Sequence, residues 1–168
     1  MSKQYSIASF PFVLAMLFFL ITSCQFSKGV KKDLNTGLSA SYNGLTIDDI
    51  FLADENGNKL SQNKVKLGAK IQVVATGVDY FTEKDGKVFP GCQIILTDNA
   101  KAELLNLPDA FADMANGTTA AQAKTLQASL NTGQPMVSGA TYHLVVKFYD
   151  KQNKEKTISP NVDIVMQD

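Results

Sequence analysis

The chain has no arginine and no tryptophan, a single histidine, His143, and two cysteines, Cys24 and Cys92, in 168 residues. Arginine is the side chain best suited to gripping phosphates through paired hydrogen bonds, and nucleic-acid-binding domains display a basic face. Sixteen lysines balanced by sixteen acidic residues provide no such face, so nucleic acid is not expected as a partner. With one histidine, any Ser-His-Asp or Cys-His arrangement would have to use His143. In a strand it faces away from Tyr142 and Leu144, which reads as a surface or packed histidine. A transition-metal site built on histidine usually needs more than one. Phosphate-cradling glycine loops and nucleophile elbows are absent too. The expectation is no enzyme, no catalytic residues, no metal and no cofactor.

What is present begins at the N-terminus. Lys3 is the only charged side chain before a run from Ile7 to Ile21 that is apolar apart from Ser9. A basic start, an apolar stretch and then small residues is the layout of a secretory signal. A membrane span needs roughly 20 apolar residues; this run is shorter, and Pro11 interrupts its start. It ends in Ile21-Thr22-Ser23-Cys24, which resembles the lipobox of bacterial lipoproteins, although leucine is commoner than isoleucine at its first place. The resemblance implies removal of residues 1–23, a diacylglyceryl thioether on Cys24 and acylation of the new amine. Membrane lipid would then be a partner through Cys24. Two or more acyl chains anchor stably where one does not. Gln25 after the cysteine, in place of Asp, resembles lipoproteins sorted to the outer membrane in enteric bacteria. The acidic tag of surface-exported lipoproteins of Bacteroidota is missing, which favours the periplasmic face over the cell surface.

Without the signal about 145 residues remain, with fifteen lysines against sixteen acids, for a net charge of −1. That length suits one domain. Residues 24–36 are polar, with Lys28, Lys31 and Lys32, and read as a solvated tether; residues 37–168 read as the folded domain. If Cys24 carries lipid, Cys92 has no disulfide partner. Its strand-like setting, Gly91 to Leu96, suits a buried thiol acting as a small hydrophobe; a nucleophile or an intermolecular disulfide is the alternative.

Strand signals recur through the domain. Leu38, Ala40 and Tyr42 alternate with polar neighbours, and Asn43-Gly44 is a turn signal. Residues 45–53, 64–67, 71–81 (with a bulge expected at Gly77), 92–97, 141–149 and 157–166 follow as strands. Asp85-Gly86 marks a hairpin turn. Residues 108–116 read as a short helix stopped by Gly117, and Thr118-Thr119 as caps of another helical turn over 120–124. The stretch 118–130 suits either one helix or a short helix and a strand; the narrow stripe Leu126, Ala128, Leu130 favours the latter.

Short strands between turn signals predict an all-β antiparallel sandwich with a short helical insert around 108–124. Gly139 to Asp150 resembles the late strand of immunoglobulin-like modules: a glycine turn, a tyrosine, alternating apolar residues and a closing Asp. Together with the lipobox and the lysine- and asparagine-rich turns, the chain resembles small immunoglobulin-like sandwich lipoproteins of Bacteroidota. That resemblance implies no activity.

The function expected is a non-enzymatic binding or scaffolding module of the cell envelope, with an envelope protein or glycan as partner. Its contact surface would lie on the loops Thr82 to Pro90 and Asp98 to Gly117. The alternative is a surface module binding glycan or calcium. For calcium, Asp54 to Asn58 begins like an EF-hand loop, but Lys59 stands where its glycine belongs and Val65 where its glutamate belongs. Asp48, Asp49, Asp54 and Asp79 remain as loop acids. For glycan, Tyr80, Phe81, Phe89 and Tyr149 are candidate platforms, against a plainer role in the core.

Overall fold

Between Thr141 and Gln167 the sequence alternates, and the alternation decides the architecture. Tyr142, Leu144, Val146 and Phe148 are buried, as are Ile158, Val162, Ile164 and Met166, while the residues between them are half-buried or exposed. Strands place successive side chains on opposite faces, so both segments present one apolar face to the same interior. In this computed structural model, which describes residues 27–168, they form a hairpin at the centre of the larger of two sheets. The expectations for the signal segment and Cys24 lie outside the described residues.

Ten strands are described: β1 Lys28–Lys32, β2 Ser39–Asn43, β3 Asp49–Asp54, β4 Lys64–Lys66, β5 Lys70–Thr76, β6 Pro90–Asp98, β7 Glu103–Leu107, β8 Thr125–Asn131, β9 Thr141–Asp150 and β10 Asn153–Gln167. The larger sheet runs β1-β2-β10-β9-β6-β7, with β4 added on β10, and the smaller runs β3-β5-β8. All pairings are antiparallel except β4 with β10. The core lies between the sheets. Ile50 and Leu52 of β3, Val73 of β5 and Leu126 of β8 belong to the same buried cluster as Leu144, Phe148, Ile158 and Ile164. The expected all-β antiparallel sandwich is observed.

β10 carries two irregularities. Asn153 pairs with Asp150, yet Thr157 pairs with Tyr149, so Lys154 to Lys156 have no partners across the ladder. A bulge of this kind re-aims the residues it expels. Pro160 faces the core in a strand flanked on both sides. Proline has no N–H to give, and the ladder to β9 passes from Ile158 to Asn161 without pairing Ser159 or Pro160.

Several expectations need correction. The tether proposed for residues 24–36 is largely folded: Lys28–Lys32 pairs with β2 along its whole length. Its polar sequence hid this, because β1 is an edge strand whose inward residues are Gly29 and Lys31, and Gly29 lies under the Tyr42 ring, where a Cβ would come within 2.2 Å of the hydroxyl oxygen. Asn43-Gly44 is no hairpin turn; there the chain leaves the larger sheet for the smaller one, and β2 pairs with β1 and β10 instead of β3. The strand expected over 71–81 ends before Gly77, which has a φ of 64° and sits against the Asp48 side chain. The insert contains no α-helix. Residues 103–107 are the edge strand β7, and 112–116 form a 3-10 turn with non-helical angles at Met114 and no buried residue. A helix this short needs a buried face to persist in water. In the stretch 118–130, a 3-10 turn over Gln122–Lys124 leads into β8, as favoured above. Thr119 caps that turn: its Oγ1 accepts from Gln122 N, and Gln122 Oε1 accepts from Thr119 N.

Phe148 is fully buried and stacks on Phe111 with ring centroids 6.1 Å apart. Phe148→Ala is expected to lower stability by about 3–5 kcal/mol, read as a fall in the urea midpoint with unchanged slope. Glu83→Ala, on an exposed turn, is expected to change it by less than about 0.5 kcal/mol.

Candidate functional site

A cleft of about 590 Å³ forms where the end of β2, the turn after β5 and the bulge of β10 meet. Each wall has a local cause. The bulge expels Glu155 and Lys156 toward it. Gly44 must lack a side chain, because a Cβ there would stand 2.8 Å from Lys156 Cγ. Asn43 Nδ2 donates to the Glu155 carbonyl at 2.8 Å, while its Oδ1 is buried without a hydrogen-bond partner. Ser27 closes one side; its carbonyl accepts from Gly44 N at 2.8 Å.

Tyr80 is the prominent feature. It is 55% exposed and has a φ of 69°, a left-handed conformation that costs a bulky residue about 1–3 kcal/mol. Three contacts hold it there. Asp79 Oδ1 accepts from Tyr80 N at 2.9 Å, Asp79 Oδ2 meets Lys124 Nζ at 2.6 Å, and Lys156 Nζ donates to the Tyr80 carbonyl at 2.7 Å. The hydrogen bond from Lys124, followed by that from Tyr80 N, holds the Asp79 carboxyl below its usual range. The cleft is thus lined by the aromatic Tyr80 together with the polar residues Asn43, Thr46, Glu155 and Lys156. Such a set suits binding of a small polar ligand.

A second groove, about 460 Å³, lies at the loops expected to make contacts. Val88 and Thr118 exchange backbone hydrogen bonds of 2.9 Å, tying the 82–90 loop to the chain just beyond 98–117. Pro90, Phe111, Met114 and Leu126 line the groove. Asp109 braces its floor: its Oδ1 accepts from Cys92 N and Phe111 N, and its Oδ2 meets Lys151 Nζ at 2.8 Å.

The other sequence candidates disperse. Cys92 is fully buried, and burial, reinforced by the Asp109 charge, pushes its thiol up to about 12, the inert state expected of a packed cysteine. It faces the core from β6, whereas His143 faces outward from β9 and meets Asp163 at 2.8 Å on an exposed surface. Asp54 caps its own turn by accepting from Asn56 N and Asn58 N. The bonds from Asn58, side chain first, lower its pKa. Asp49 meets Lys59 at 3.4 Å. Among the described residues no three His, Cys, Asp or Glu side chains gather as a metal site would require. Phe81 and Phe89 are half-buried, Phe89 against Gly117, and Tyr149 lies over Gly91. Tyr80 alone of the four aromatics is an open platform. Sequence reasoning missed Asn43, Thr46, Glu155 and Lys156 as neighbours of Tyr80. The Asn43-Gly44 pair was the one visible signal, and it read as a turn.

Compared with known proteins, the chain matches no family model, and no curated protein matches it.

Asp109 supplies the pH prediction. Burial pushes its carboxyl up, but the hydrogen bonds from Lys151, Cys92 N and Phe111 N outweigh this and leave it lowered. A carboxyl lowered in the folded state stabilises the protein at pH values above its unfolded pKa, near 4, and that stabilisation is lost as pH falls through the folded value. Asp109→Asn is expected to cost about 1 kcal/mol at pH 7. The difference from the parent protein should shrink as pH falls below about 4, as followed by urea unfolding across pH 2–7.

Proposed function

We propose that the chain is a lipid-anchored envelope lipoprotein and that its sandwich is a non-enzymatic binding or scaffolding module, with the Tyr80 cleft as its binding site. The observation that carries this reading is Tyr80 itself: an exposed aromatic, held in a strained conformation by Asp79 and Lys156 in the wall of the 590 Å³ cleft. Strain of this sort persists only where the surroundings over-determine it, and it clusters at functional sites. The anchor rests on the lipobox-like Ile21 to Cys24. No helix among the described residues is long and apolar enough to cross a membrane. The non-enzymatic part is supported by Cys92 and His143, the pair a thiol nucleophile would need, standing on opposite faces of one sheet.

The bound species in this reading is an envelope protein segment or a glycan. Tyr80 favours the glycan: an aromatic face suits the apolar face of a sugar ring, and Thr46, Glu155 and the Asn43 amide suit its hydroxyls. Calcium gains no such support, since Asp54 and Asp79 are already committed to Asn58 and Lys124.

Two measurements test the proposal. Intact mass of protein extracted from envelopes is expected to show a chain starting at Cys24 and carrying acyl groups; an unmodified chain retaining Met1 contradicts the anchor. Envelope glycans and solubilised envelope proteins are then titrated against the acylated protein. Tyr80→Ala is expected to weaken the binding found by about tenfold, equivalent to about 1.4 kcal/mol, with little loss of stability. Unchanged affinity removes the cleft from the account.

A further inference from the structure

We infer that the β1–β2 hairpin is a membrane-docking edge, laid against anionic lipid headgroups beside the anchor. The inference rests on the acylation of Cys24 proposed above. Two residues, three Cα–Cα steps, separate Cys24 from Ser27, the first described residue, whose carbonyl is already bonded to Gly44 N. At no more than about 3.6 Å per residue, that link spans about 11 Å at full extension. The folded domain therefore starts at the bilayer surface, and β1 is the first element to meet it.

The surface of the hairpin fits that neighbour. β1 is the edge of the larger sheet. Its exposed face carries Lys28, Val30 and Lys32, with Val30 62% exposed, while Lys31 turns inward and donates to the Asp48 carbonyl. Leu34, at the hairpin tip, is 90% exposed. It is not on a loose loop. Asp33 N donates to the Leu38 carbonyl at 2.8 Å, Gly37 N donates to the Asp33 carbonyl at 2.9 Å, and the Asp33 carboxylate accepts from Asn35 N and Thr36 Oγ1. A rigid turn thus holds an aliphatic side chain in the open, where water is its least favourable neighbour. Apolar side chains interleaved with lysines suit a headgroup layer, in which the aliphatic groups reach the acyl boundary and each lysine adds roughly fivefold in affinity for anionic lipid. The segment 27–34 holds three lysines and one acid, Asp33, whose carboxylate is turned into its own turn. For Val30 and Leu34 to touch lipid together, the hairpin must lie along the membrane plane.

The test uses the full acylated protein in vesicles containing phosphatidylglycerol, with acylation verified by intact mass. Single cysteines, Val30→Cys, Leu34→Cys and Asn106→Cys, are labelled with bimane; buried Cys92 stays unlabelled. Asn106 lies on β7, the opposite edge, about 24 Å away at about 4.8 Å per ladder step. Bimane at positions 30 and 34 is expected to be quenched several-fold more strongly by headgroup spin-labelled lipid than bimane at 106, and less so at high salt. Equal quenching at all three positions overturns the inference while leaving the anchor standing. A fluorescence shift at 30 and 34 that depends on protein concentration and not on the lipid quencher assigns the edge to a second copy of the chain, and also overturns it. A chain found without acyl groups fails the anchor reading instead.

Discussion

The structure depends on β10. This single strand pairs with β9 along one edge and with β2 and then β4 along the other. Its even-numbered residues from Ile158 to Met166 face the core. A one-residue slip would turn Ile158, Val162, Ile164 and Met166 out to solvent together, so the apolar face fixes the register. Once that register is set, β9 brings β6 and β7 into the sheet, and β2 brings β1. The smaller sheet then covers the interior face with Ile50, Leu52, Val73 and Leu126.

The candidate site is a by-product of the same strand. The β10–β9 ladder shifts register between Asn153 and Thr157, and Lys154 to Lys156 leave it. Expelled, they reach the turn after β5, where Lys156 secures the Tyr80 carbonyl, and the end of β2, where the Glu155 carbonyl takes the Asn43 amide. Segments more than seventy residues apart in sequence meet in one cleft because the ladder on either side of the bulge is fixed.

Legibility in the sequence followed burial pattern. β9 and most of β10 could be read directly, since each has one buried and one open face. Asp85-Gly86 was readable for a local reason: its tight turn, with hydrogen bonds both ways between Lys84 and Lys87, uses the positive φ of both residues. β1 was not readable, because an edge strand with lysines on its open face and a glycine under a tyrosine shows no apolar alternation. The segment 108–116 misled in the other direction: its residues favour a helix, but Asp109 is tied to Cys92 N and Phe111 N, and none of Ala112–Asn116 is buried. The cleft was illegible as a unit. Tyr80 stood out as an aromatic, but the positive φ that displays it and the bulge that walls it depend on pairings between distant segments.

The ladder from β10 through β2 to β1 also sets how far the domain can stand from a lipidated Cys24. A free tether over residues 24–36 would allow the sandwich to move independently of the bilayer; a β1 that is part of the sheet does not. Amide hydrogen exchange over residues 28–32 tests this most directly. The account predicts that the β1 amides directed at β2 exchange far more slowly than an unstructured chain of the same sequence, with protection approaching that of β2. Exchange at unstructured rates throughout 28–32 would contradict it and return the segment to the role of a tether.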